Sequence, residues 1–95
     1  MAFRLSIAAE QDVRDIHTFG TLPFGERQAD SYLKALIKGF EFVGENPRAC
    51  RERLEINPPV RVHVVGSHLI IYSIDGRGVF ILRVMHGHAD WQNDL

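Results

Sequence analysis

Three shortages bound what this 95-residue chain can be. Cys50 is the sole cysteine, so neither an internal disulfide nor a cysteine-based zinc cluster can form, and the chain reads as cytoplasmic. Net charge is nearly absent, −1 from 11 basic and 12 acidic residues. That excludes the broad electropositive footprint of a protein that grips nucleic acid mainly by its phosphates, so strong direct binding to nucleic acid is not expected. There is also no apolar run of about 20 residues to span a membrane, and the start MAFRLSIAAEQD is too short and too soon charged for a secretory signal. What is present, 45% hydrophobic residues without repeats or low-complexity linkers, fits one small domain over residues 1–95.

The last third is the most regular part. Val60 to Val65, Leu69 to Ile74 and Val79 to Met85 are rich in valine and isoleucine, and Gly66-Ser67 and Gly76-Arg77 separate them as two-residue hairpin turns would. Pairing Val65 with His68 sets His63 opposite Ile70 and Arg61 opposite Tyr72. Pairing Asp75 with Gly78 sets Ile70 opposite Arg83. One face then holds Val62, Val64, Leu69, Ile71, Phe80, Leu82 and Val84, with Ser73. The other mixes Arg61, His63, His68, Tyr72 and Arg83 with Ile70, Ile74, Val79, Ile81 and Met85. An apolar face asks for a covering layer, and the mixed face is read as one that expects a partner.

Ahead of this meander, Phe3 to Ile7 alternates as a short strand. Ser6 or a neighbour caps a helix to about Phe19, with Ala9, Val13 and Ile16 as its stripe. Gly20 to Gly25, with Pro23 inside, reads as a turn. A longer helix from Glu26 to Val43 follows from Ala29, Leu33, Leu36, Phe40 and Val43. Gly44 is placed to end it in a left-handed turn, and Asn46-Pro47 forbids continuation. RACRERLEINPP is an irregular loop or a short edge strand. The expected fold class is α+β: an N-terminal strand, an antiparallel helical hairpin, then a three-stranded antiparallel meander, with the helices on the apolar face of the sheet.

Ala9…Asp12…Ile16, Ala29…Tyr32…Leu36, Glu45-Asn46-Pro47, Arg61, the GSHLIIY strand and the RVMHG ending, taken in this order, resemble the ParE/RelE toxin superfamily over almost the whole chain. The GSHLIIY and RVMHG segments look more like the ParE branch. The resemblance implies the toxin of a type II toxin–antitoxin pair, neutralised by a cognate ParD-like antitoxin. ParE-like members poison DNA gyrase, whereas RelE-like members cleave mRNA on the ribosome.

The residues weigh on that choice. Cleaving RNA at a 2′-hydroxyl needs a base, an acid for the leaving oxygen and cations at the phosphorane. RelE-like enzymes supply lysines and arginines on the sheet and commonly a tyrosine near the C-terminus. Here Lys34 and Lys38 both fall on the second helix and no tyrosine follows Tyr72. A nuclease reading must therefore rest on Arg61, His63, Arg83 and His86, with histidine replacing the missing groups. The binding reading takes Arg61, His63, Tyr72, Arg83, His86, His88, Asp90 and Trp91 as the surface for target or antitoxin.

Each residue has a plainer role beside the functional one. Arg61 and Arg83 can cover apolar surface with their stems, Tyr72 can simply pack, and His68 can bond to nearby backbone. By parity His86 joins Phe80, Leu82 and Val84 at the core edge. His86-x-His88, with or without Asp90, is too thin a ligand set to predict a metal, and no cofactor is expected. Cys50 reads as a small apolar residue. Trp91 either tucks under the helices or anchors an interface.

Overall fold

The computed structural model describes residues 3–87 and 91–93. The elements run β1 (Phe3–Leu5), α1 (Ile7–Glu45), β2 (Glu52–Arg53), β3 (Val60–Val65), β4 (His68–Asp75) and β5 (Gly78–His86). The strands form one sheet in the order β1-β5-β4-β3-β2. β1 joins β5 in parallel, and the other pairings are antiparallel. This is the α+β class expected, and the segment left open between loop and edge strand contributes the two-residue β2.

The β3–β4 register is the one counted from the sequence, with Val65 opposite His68, His63 opposite Ile70 and Arg61 opposite Tyr72. Gly66 opens the turn at φ 56° with no positive-φ side chain after it, the pattern of a type II′ hairpin. Asp75 pairs with Gly78 as predicted, and Asp75 Oδ1 accepts the Arg77 amide at 2.8 Å. The register then departs from expectation. A bulge lets Tyr72 face Ile81 while Ile71 faces Arg83, so Leu82 is the extra residue on β5. Beyond it the side-chain parity reverses: Arg83 lies opposite Ile71, not Ile70, and Val84 and Met85 exchange faces.

The helical element covers the mixed face, not the apolar one. Ala9, Leu36, Phe40 and Val43 of α1 form a core with Ile70, Tyr72, Val79, Ile81 and Val84. The expected cover over Val62 and Ile71 comes instead from Ile56, Val60 and Trp91, with Leu69, Leu82 and Met85 at the margin. Trp91 thus packs on the sheet face away from the helices. The mixed face was a sound choice for burial because its polar tips lie at the edge of the layer, where they reach backbone carbonyls.

α1 holds the predicted apolar stripes, but its bounds differ. Backbone helical geometry continues through Pro23 and breaks at Gly25 alone (φ 82°, ψ 163°), so the expected six-residue turn shrinks to one residue. His17 Nε2 lies 2.7 Å from Asp30 Oδ1, and Gly20 approaches Ala29, so the segments on either side of the break lie against each other. Ser6 is the N-cap, accepting the Ala9 amide at 2.9 Å and donating to Leu82 O at 2.7 Å. Gly44 is not a left-handed terminator: it is buried within the helix, and Asn46 is the C-cap. Gly39 sets the depth of packing, since a Cβ there would come within 2.7 Å of Val65 Cγ2 and 2.8 Å of Ile70 Cδ1.

Candidate functional site

The residues predicted to share a docking face are distributed by the fold over three places. At the end of α1, Tyr72 is fully buried and its hydroxyl donates to Pro47 O at 2.8 Å. Burial, with hydrogen bonding to Cys50, pushes its pKa well above the ordinary value. Arg61 Nη1 donates to Cys50 O at 2.6 Å. His63 stacks on Phe42 (4.9 Å between centroids, 27° between planes), and its Nδ1 is 3.9 Å from Cys50 Sγ. Burial lowers the His63 pKa below 6.5, favouring the neutral ring. These three residues tie the segment after α1 onto the sheet, and Tyr72 has no exposed surface for a partner.

The second place is the Arg83–Asp12 pair. Arg83 Nε and Nη2 donate to the two oxygens of Asp12 at 2.7 and 2.9 Å, a fork-to-fork geometry. Asp12 Oδ2 also accepts the Val84 amide at 2.9 Å, just beyond the bulge. The sequence pattern placed Asp12 on the solvated side of its helix. The bulge, which re-aims β5, makes it the partner of an arginine 71 residues away.

The third place is a cavity of about 620 Å³ between the two segments of α1 and the β3–β4 turn. Ile16, Phe19, Phe24 and Ala29 give it apolar walls, and Tyr32, His68 and His86 give it a polar floor. Tyr32 Oη lies 2.6 Å from His68 Nδ1 and accepts the Ser67 amide at 3.1 Å. The His68 and His86 rings meet edge-on at 5.4 Å. Burial and the neighbouring His86 both lower the His68 pKa below 6.5. Phe19 and Phe24 of its lining are 65% and 63% exposed, and Leu22, between them in sequence, is 83% exposed. Three large apolar side chains clustered at a helix break are an interaction surface in waiting. The sequence carried part of this signal, since Leu22 and Phe24 are apolar residues inside the segment read as a turn.

For RNA cleavage, the four candidate groups would need to converge on one phosphate. Arg61 and His63 come together around Cys50, whereas Arg83 is engaged at Asp12 and His86 lies at His68, so the four occupy three places. A smaller polar hollow of about 240 Å³, lined in part by Arg48, Arg61 and Glu52, mixes both charge signs. Among the described residues no group of three or more His, Cys, Asp or Glu side chains could hold a metal. His88 and Asp90, and with them the predicted His86-x-His88 pair, lie outside the described residues.

A solved chain from the structure described as "Chromosomal ParDE TA system from P. aeruginosa" shares the fold at a TM-score of 0.79 and 16% identity, over 90% of this chain and 95% of that one. The sequence model for "ParE toxin of type II toxin-antitoxin system, parDE" matches residues 3–91. Toxin ParE1 of Mycobacterium tuberculosis is 32% identical over 94 residues, 98% of this chain and 96% of the relative. Toxin ParE1 of Caulobacter vibrioides is 32% identical over 84 residues, 88% and 86% of the two chains. The chain belongs to the ParE toxin family, the toxin half of type II ParDE pairs. No helix among the described residues is long and apolar enough to cross a membrane.

Proposed function

We propose that this ParE toxin inhibits DNA gyrase by binding and that a cognate ParD-type antitoxin neutralises it by docking at the helix break. The observation that carries this reading is the apolar-walled cavity lined by the exposed Phe19 and Phe24, with the exposed Leu22 between them in sequence. Such a surface suits an amphipathic helix laid into a groove, with bulky side chains as anchors. The setting of the four nuclease candidates supports binding over catalysis, because they fall in three separate places: Arg61 and His63 around Cys50, Arg83 at Asp12 and His86 beside His68. Trp91, packed on the opposite sheet face, ties the C-terminal stretch to the body and leaves that stretch as the part proposed to meet gyrase.

The test uses purified toxin and gyrase. Inhibition of supercoiling, accumulation of cleaved DNA, and relief of both by the antitoxin are the expected results. Toxicity in cells with clean gyrase assays and rapid cleavage of translated messages would move the protein to the ribosome-dependent nuclease class.

A further inference from the structure

We propose that a second copy of this chain pairs with the first through the helix-break tip, each copy placing Leu22 in the other's cavity. Residues 22–28 form an unbroken exposed run around the turn at Gly25. Leu22, 83% exposed, is the most exposed large apolar side chain of that run, and it stands beside the cavity in sequence without lining it. The cavity has about 620 Å³ of space and walls of Ile16, Phe19, Phe24 and Ala29, so an aliphatic side chain from outside meets apolar surface on arrival. Knob and hole thus lie within a few residues of each other on one chain.

That adjacency selects the form of the association. In a two-fold dimer every contact is made twice, residue i of one copy against residue j of the other and the reverse. A knob far from its hole would build open chains of molecules, whereas one beside it lets a single two-fold axis seat both Leu22 side chains at once and close the pair. The charges of the tip carry the same symmetry. Glu26 and Arg27 are neighbours of opposite sign, both exposed, and among the described residues neither side chain makes an ion pair or hydrogen bond within its own copy. Across the axis Glu26 of one copy meets Arg27 of the other, and the exchange is repeated in reverse. With a net charge of −1, two copies have little long-range repulsion to overcome.

The tip is small against the roughly 800 Å² per partner that a standard specific interface buries, so the pairing is weak and reversible. It uses the surface proposed above for the antitoxin, so the second copy and the antitoxin exclude one another, while the self-pairing does not depend on the antitoxin docking there. An amphipathic helix that covers more of the groove displaces the second copy. Toxin without antitoxin keeps its apolar tip out of water when concentrated.

Sedimentation equilibrium of the intact toxin, free of antitoxin, over about 1 to about 100 μM reads the result. The average mass should rise from monomer toward dimer and stop there. Leu22→Asp should weaken association by about tenfold or more. Arg27→Glu, which sets like charges across the axis, should weaken it about three- to tenfold, and combining Glu26→Arg with Arg27→Glu should restore it. Leu54→Asp, at a leucine 72% exposed away from the tip, should change nothing. All these sites are exposed, so each variant should keep the parent's circular dichroism. A toxin that stays monomeric throughout, masses that grow past the dimer, or a dimer that both Leu22→Asp and Arg27→Glu leave intact overturns the proposal. Cognate antitoxin added to the dimer separates the two readings of the tip. Replacement of the second copy by antitoxin supports both, whereas a toxin dimer that survives inside the complex leaves self-pairing standing and overturns the antitoxin's place at the helix break.

Discussion

The two faces of the sheet differ in a way that runs against intuition. The face that mixes arginine, histidine and tyrosine with aliphatics lies under α1, and among the described residues the more uniformly apolar face is covered at its centre by Ile56 and Trp91. Polar atoms did not keep the first face open because they end on specific acceptors: Tyr72 on Pro47 O and Arg61 on Cys50 O. The second face shows the cost of a thin cover, with Val64 still 61% exposed on β3. What assigns a face to the helices is close approach and satisfied polar tips, not a count of apolar residues.

The comparison can be broken by substitution. The largest effect should come from the helix-covered face, where Ile81→Ala in a fully buried position should cost about 3–5 kcal/mol in denaturant unfolding. On the outer face Trp91→Ala should cost less, about 2–3 kcal/mol, because the residue belongs to a smaller cluster that, among the described residues, no second layer covers. Because Trp91 is the sole tryptophan, fluorescence reads out its burial directly, and a red-shifted native spectrum would contradict the packing. If the two losses prove equal, the asymmetry between faces is wrong. Gly39→Ala should cost about 1–3 kcal/mol by overpacking against Val65 and Ile70, measured as a lower unfolding midpoint. Asp12→Asn should cost about 1–2 kcal/mol, since the amide can still accept from Val84 while Arg83 loses its counter-charge at a partly exposed site.

The smallest effect concerns pH. Burial lowers the His63 and His68 pKa values in the folded chain, so the unfolded chain binds more protons just below pH 6.5. The stability they contribute is complete above that value and declines as pH falls through it toward the folded-state pKa values. Unfolding midpoints should drop between about pH 7.5 and about pH 5.5, and His63→Asn should flatten part of that slope.

Much of this was readable beforehand. The β3–β4 register followed from Gly66 and Ser67, because a two-residue turn leaves no freedom in pairing. The stripe Ala29, Leu36, Phe40 and Val43 is buried as its spacing required. The bulge at Leu82 was not readable, since neither glycine nor proline marks it, and one extra residue was enough to misplace Arg83, Val84, Met85 and His86. The choice of face was equally hidden, because each face carried enough aliphatic side chains to support a layer. The cavity was missed for a different reason: Leu22 and Phe24 sit in the glycine- and proline-marked stretch Gly20 to Gly25, where a turn was the simpler reading, Phe19 closed the helix before it, and Tyr32 meets His68 only once the helix is laid on the sheet.

The parallel pairing of β1 with β5 has a consequence for the order of assembly. β5 is the last strand made, yet it lies between β1 and β4, and its carbonyls at Ile81 and Leu82 also receive the Ser6 amide and hydroxyl at the start of α1. A chain emerging N-terminus first therefore holds its opening strand and its helix cap without partners until the final strand arrives. Arrival of β5 completes the sheet and anchors the start of the helix in the same step, so the surfaces built on that sheet form only once β5 has been translated.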